Sequence, residues 1–215
     1  FMKSIVVINP NSNKVVTDGL DKALEAYRFQ GGPEIICVTN SKGPFGIESK
    51  LDSESVVPDI FEQIKNHKDA GAYVIACYSD PGIDLLRSAI KTPIYGIAES
   101  GILTALSRGK RFGVIAISEG SISRHRTYIE KMGFASRLAN ERSLDMTVDQ
   151  TAQGAHTFEK LIEIGGKLLK DGADVIILGC AGMATHRLEL EKELNVPIID
   201  PTQAAVSMAL GSLVL

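Results

Sequence analysis

The sequence predicts an α/β protein of two pseudo-symmetric lobes, each a short parallel sheet flanked by helices, with the active site in the cleft between them. Two observations carry this. The first is that runs such as Ile5-Val6-Val7-Ile8 and Val175-Ile176-Ile177-Leu178 carry no charge, stop at small or turn-forming residues, and give way to helical patterns. Parallel strands buried on both faces and returned by helical crossovers read this way. The second is an internal repeat: residues 174–183, DVIILGCAGM, have a counterpart in residues 71–84, GAYVIACYSDPGID. Downstream, Ala89-Ile90-Lys91-Thr92-Pro93-Ile94 parallels Glu193-Leu194-Asn195-Val196-Pro197-Ile198. Cys77 to Cys180 is 103 positions and Pro93 to Pro197 is 104, so one residue of slippage aligns the copies. A repeat near half the chain length implies two similar lobes. The first is expected to comprise residues 1–97 plus 201–215 and the second residues 98–200, with no Gly/Ser linker between them.

Taken in order, residues 3–9 read as the first strand. Asn9-Pro10-Asn11-Ser12-Asn13 breaks it with side chains that can cap the next helix, expected over residues 14–27. Residues 34–39, with Cys37, form the second strand. Residues 40–49 are a Gly/Pro-bearing loop, either a lid or ligand wall at a strand end or an ordinary connector. A helical segment restarted at Pro58 runs to about residue 67. Residues 73–77 are the third strand, and Asp80-Pro81 is expected to open its helix as cap and first-turn proline. Residues 94–97 are a short fourth strand, and a helix over residues 99–108 crosses into the second lobe. There residues 111–117 restart the pattern, Ser118 ends the strand, and Ser121 or Ser123 caps a helix to about residue 132. Residues 134–138 read as a strand and residues 140–149 as irregular and polar. A long amphipathic helix carries Phe158, Leu161, Ile162, Leu168 and Leu169 on its apolar side. After Cys180 come a helical pattern over residues 183–194, a short strand at Ile198-Ile199, and a last helix expected to pack back on the first lobe.

Composition narrows the function classes. At 215 residues, 44% hydrophobic and 23% charged, the chain has the make-up of an ordinary globular protein. A formal net charge of −3 gives no electrostatic case for nucleic acid or an anionic membrane. No apolar run approaches the roughly 18 residues of a membrane span. The opening run turns polar at Asn9, too soon for a secretory leader; Phe1, ahead of Met2, is set aside. Three widely spaced cysteines fit a reducing, cytoplasmic setting better than a disulfide framework, and no Cys/His spacing suggests a metal. The expected partner is a small molecule, with no cofactor.

The chemistry lies in Cys77 and Cys180, each at the end of a strand where ligands bind in open α/β sheets. One such cysteine is more often a small buried hydrophobe. A second at the equivalent place in the other lobe gives two thiols facing across a cleft. Such a pair can remove a proton from carbon beside a carbonyl on one face and return one on the other. This inverts the centre without metal or cofactor. Free N–H groups at a following helix start are expected to favour thiolate and to stabilise the enolate. One thiol and one thiolate must coexist, so the pair titrates as a unit.

Ile8-Asn9-Pro10-Asn11-Ser12, Ala76-Cys77-Tyr78-Ser79-Asp80-Pro81-Gly82, Gly96-Ile97-Ala98-Glu99 and Gly179-Cys180-Ala181-Gly182-Met183 together resemble the aspartate/glutamate/hydantoin racemase superfamily over almost the whole chain. INPNS with ACxxDPG and GCAGM looks most like its hydantoin and allantoin racemase branch. The amino-acid branch follows its first Cys with Asn-Thr and its second with Thr; Tyr78-Ser79 and Ala181 stand there instead, which argues against free glutamate or aspartate as substrate. The resemblance implies Cys77 and Cys180 as acid/base thiols acting on a planar cyclic ureide. It implies Asn11 as a cleft residue, and Ser79 with the backbone around Asp80 as partners for a substrate carbonyl or ring N–H. Ala181 and Gly182 would present N–H groups and let the ring approach closely; Ile47 and Ser118 are further candidates. A homo-oligomer is also expected. Two other readings remain: an open-chain acid racemase, isomerase or decarboxylase of the same superfamily, which often needs one essential Cys, and a non-catalytic two-lobed sensor, which needs none.

The remaining residues have plainer readings. Cys37 reads as core, His67 and His186 as solvated, and Asp80 more as a helix cap than as a base. His125 and His156 could reach the cleft, and Arg124 or Arg126 could bind a carboxylate or simply lie on the surface.

Overall fold

The computed structural model describes residues 2–214. The uncharged runs form the centres of two sheets, because a strand covered by helices on both faces leaves no place for a charge. In the first sheet β1 (Ile5–Asn9), β2 (Ile35–Thr39), β3 (Ala72–Ile75) and β4 (Ile94–Gly96) lie in the order β2-β1-β3-β4. In the second, β5 (Phe112–Ala116), β6 (Leu138–Ser143), β7 (Val175–Leu178) and β8 (Ile198–Ile199) lie in the order β6-β5-β7-β8. Every pairing is parallel, and the two orders are the same permutation, as the internal repeat predicts. The inner strands β1, β3, β5 and β7 are buried throughout, whereas β2 and β6 at the edges are half-buried.

The chain runs outward from β1 to β2 but continues from β3 to β4 on the other side. Loops leaving β1 and β3 therefore diverge and open a crevice at their carboxyl ends. In the second sheet the same divergence lies between β5 and β7. Asn11 follows β1 and Cys77 follows β3; Ser118 follows β5 and Cys180 follows β7. Topology thus delivers both cysteines to crevices of the same kind.

Two helices are exchanged between the halves. Helix α5 (Ile97–Arg108) leaves β4 and packs against β5, β7 and β8, while α10 (Pro201–Ser212) leaves β8 and packs against β1, β3 and β4. The two helices pack on each other through small residues: a Cβ on Gly101 would meet Pro201 at 3.0 Å. Ile5, Val7 and Val74 of the first sheet share one packed cluster with Ile115, Ile176 and Leu178 of the second.

Several boundaries differ from the sequence reading. Residues 135–137 form a 3₁₀ turn rather than a strand, and β6 is the polar segment LANERS, part of which read as irregular. Period-2 alternation is present there, but its inward residues are Glu141 and Ser143, so hydrophobicity does not reveal it. Helix α6 (Glu119–Lys131) has Ser118 at its N-cap, one turn earlier than Ser121 or Ser123. Asp80 does not open α4 (Ile83–Ala89), whose N-cap is Gly82 at φ 67°. Its carboxylate instead accepts from the N–H groups of Ala98 and Glu99, both at 2.8 Å, capping α5. A glycine at position 96 is required for this, since a Cβ there would occupy the place of the Asp80 carboxyl. In the second half Asp200 does the same job from its own N-cap position, accepting from Gln203 N at 2.8 Å. After Cys180 the chain makes a 3₁₀ turn, Ala181–His186, before α9 (Arg187–Leu194).

Candidate active site

Both sulfurs border one cavity between the sheets. Asn11, Ile47, Cys77, Ser79, Cys180 and Ala181 line it together. Cys180 is 7% exposed, yet the small side chains around it leave it at the cavity wall; Cys77 is half-buried. The loop after β2 contributes Ile47 to the cavity lining.

Each thiol has its own polar setting. The Cys77 sulfur lies 3.2 Å from Ser79 Oγ, which in turn lies 2.9 Å from Ser53 Oγ on α2 (Lys50–Ser55). The Cys180 sulfur accepts from Gly182 N–H at 3.4 Å and has Thr151 Oγ1, on α7 (Val148–Gln153), at 3.7 Å. Burial outweighs these contacts. It pushes the Cys77 thiol up to about 11, with a smaller rise from Cys180 and against lowering by the Ser79 hydroxyl and N–H. Burial also raises Cys180, against lowering by Gly182 N–H and Thr151. The expected lowering by helix N-termini is therefore not realised. Helix α4 begins six residues after Cys77, and only a 3₁₀ turn follows Cys180.

Asn11 is held in one orientation at the cavity wall. Its Oδ1 accepts from Asn9 Nδ2 and from Asn13 N–H, both at 2.9 Å, which orients the amide. Its Nδ2 has no partner among the described residues and is left to the cavity as a donor. Ala181 N–H, the first of the 3₁₀ turn, is a second donor at the wall.

Three expected site residues lie elsewhere. Asp80 is 3% exposed and its carboxylate is consumed by Ala98, Glu99 and the Tyr128 hydroxyl at 2.9 Å. Burial pushes that carboxyl up to about 6, against those three donors. Ser118 turns its carbonyl to Ser121, whose hydroxyl donates at 2.7 Å, and it is Ser121 that borders the cavity. Gly182 faces Thr151 and α1 (Lys14–Ala23) rather than the cleft, so its smallness serves packing and not ring approach.

Conversely, Ser49, Val148, Arg124 and His125 border the cavity from outside the cysteine motifs. Arg124 donates to the carbonyls of Gly120 at 2.9 Å and Glu48 at 3.3 Å, tying α6 to the loop after β2. Tyr78, Ser79, Arg124 and His125 also border a wider outer basin with Lys50, Glu54 and Tyr128, so the basin adjoins the cysteine cavity. His156 and Arg126 are exposed and border neither. Cys37 is half-buried on an edge strand, its thiol pushed up to about 12 by burial. His186 is half-buried rather than solvated and stacks on Phe158, centroids 6.1 Å apart.

Comparison with known proteins identifies the family and agrees with the fold. Residues 5–209 match the family described as Asp/Glu/Hydantoin racemase. A hydantoin racemase of Pseudomonas sp. strain NS671 is 34% identical, the match covering 95% of this chain and 84% of that one. A hydantoin racemase of Paenarthrobacter aurescens is 30% identical over 95% of this chain and 89% of its own. The structure of an allantoin racemase from Klebsiella pneumoniae superposes with a TM-score of 0.92 at 32% identity, covering 99% of this chain and 87% of that one. The chain thus belongs to the Asp/Glu/hydantoin racemase family and is a racemase.

Proposed function

We propose that this racemase inverts the stereocentre of a five-membered cyclic ureide, of hydantoin or allantoin type, by proton transfer between Cys77 and Cys180. The observation that carries the reading is that the two sulfurs, from equivalent strand ends, border one cavity. The thiolate of one cysteine takes the proton from the ring carbon beside the carbonyl, and the electron pair moves onto the carbonyl oxygen. Asn11 Nδ2–H and Ala181 N–H are the donors placed to receive that charge. The other thiol returns its proton to the opposite face, leaving itself the thiolate and the first cysteine the thiol. The enzyme then stands ready for the reverse reaction.

A polarimetric screen tests this. Optically pure 5-substituted hydantoins or allantoin are expected to lose rotation with the enzyme, and free glutamate and aspartate to keep theirs. Arg124 at the cavity wall favours a carboxylate-bearing ligand, the open-chain alternative, so an acid that alone lost rotation would displace the ureide reading. The pH dependence has a definite sign. With the Cys77 thiol at about 11, thiolate is a minor form at neutral pH and grows about tenfold per pH unit below that value. Thus kcat/KM is expected to climb steadily from pH 6.5 to 8.5. A flat profile would show the thiolate already formed. The raised value also means that slow alkylation at neutral pH does not distinguish a sensor from an enzyme.

A further inference from the structure

Between the cysteine cavity and the outer basin stands a buried pair that proton transfer between the thiols does not use. His125, on α6, places Nδ1 3.0 Å from Oε2 of Glu141, on β6. The Glu141 side chain is 0% exposed and that of His125 8%. The His125 ring packs edge-on against Tyr78, with centroids 4.9 Å apart and planes at 80°. The ring is therefore held on two sides, by a carboxylate from its own half and by an aromatic face from the turn that carries Cys77.

A carboxylate only accepts, so the proton of the neutral imidazole sits on Nδ1 and Nε2 presents a lone pair. Nε2 has no hydrogen-bond partner among the described residues and is not sealed off as a buried orphan. His125 borders both the cysteine cavity and the outer basin. The donors already assigned, Asn11 Nδ2–H and Ala181 N–H, suit ring carbonyls. A cyclic ureide also carries ring N–H groups, which need acceptors once they leave water. Of the hydroxyls at the wall, Ser121 donates to the Ser118 carbonyl, Ser79 is shared between Ser53 and Cys77, Ser49 accepts from Asp52 N–H, and the buried Tyr78 hydroxyl has no partner among the described residues; beside them an imidazole lone pair is the more basic acceptor.

We propose that His125 is a further substrate-contacting residue whose Nε2 accepts a ring N–H, with Glu141 as the positioning residue that fixes its tautomer and ring plane. The proposal rests on the cyclic-ureide reading above. It gives the site a specificity rule: a substrate must carry a free N–H at the ring position facing His125.

The test compares kcat/KM for a 5-substituted hydantoin with those for its N1-methyl and N3-methyl analogues. His125→Asn keeps a donor toward Glu141 but removes the group at Nε2. In wild type, methylating the nitrogen that faces His125 is expected to lower kcat/KM about tenfold or more. In His125→Asn the parent compound is expected to lose a similar factor, with no further loss on that methylation. His125→Gln, which restores an amide oxygen near the Nε2 position, is expected to recover part of the discrimination. Glu141→Gln is expected to weaken the discrimination while leaving thermal unfolding near wild type. If methylation costs the same factor in wild type and in His125→Asn at both nitrogens, the proposal is overturned, because a merely structural histidine would not couple to a ring nitrogen. If wild type racemises no hydantoin at all, the ureide reading fails and takes this one with it. Should His125→Asn not fold, His125→Gln decides: a methylation penalty smaller than in wild type supports the proposal, and an equal one overturns it.

Discussion

Replacing either Cys77 or Cys180 by alanine is expected to slow racemisation by about 10³-fold or more, since each supplies one of two obligatory proton transfers. The two losses should be equal for turnover and opposite for exchange. With one thiol left, a proton can still be taken from a single face. Each variant is then expected to exchange the substrate C–H for deuterium in only one enantiomer, and the two variants in opposite ones. Polarimetry measures the first effect and proton NMR in D₂O the second. Racemisation at wild-type rate by either variant would end the two-thiol mechanism. One essential cysteine with one dispensable would point to the open-chain isomerase or decarboxylase alternative. Thermal unfolding of each variant separates a lost proton transfer from lost packing, because Cys180 is part of one buried core cluster and Cys77 packs against another; among the described residues the sulfurs' hydrogen-bond partners are Ser79 for Cys77 and Gly182 and Thr151 for Cys180.

Asp80→Ala is expected to lower stability by about 3–5 kcal/mol, the largest effect of any single residue in the turn after β3. Three donors lose their acceptor together: the N–H groups of Ala98 and Glu99 and the Tyr128 hydroxyl. A buried donor left unpaired costs about 1–3 kcal/mol, and a first-turn N–H that reaches water costs less. Urea unfolding at pH 7.5, above the carboxyl's value of about 6, measures the loss with the carboxylate ionised in the parent protein. Asp80→Asn keeps one oxygen and is expected to lose about half as much. Because the same residue ties the Cys77 turn to α5 and α6, activity should fall with stability. Were Asp80→Ala as stable as wild type, the cap would be decorative and the place of Gly96 beneath it unexplained.

How the site reads from sequence depends on where its parts sit in the chain. The cysteines were legible because each ends a run of inward apolar residues, and the repeat pairs them. Asn11 was legible from the break after β1 and the family resemblance. Ser79 and Ala181 follow directly from their neighbours. By contrast, Ser53 and Thr151 steady the two sulfurs from helices 24 and 29 positions away in sequence, with no local pattern to mark them. Glu141 was hidden for another reason: in β6 the inward residues are polar, so the strand itself was misplaced and its carboxylate with it.

The sequence by itself determined the two similar parallel sheets and the pair of thiols, because apolar runs and small-residue breaks are local features that burial must respect. Only the tertiary structure decided which helix Asp80 caps, that Gly182 faces Thr151 and not the cleft, and that both thiols are raised rather than lowered. Those outcomes depend on what comes to lie beside a residue from distant parts of the chain. Desolvation and hydrogen bonding are sums over neighbours in space, and sequence order does not contain that sum.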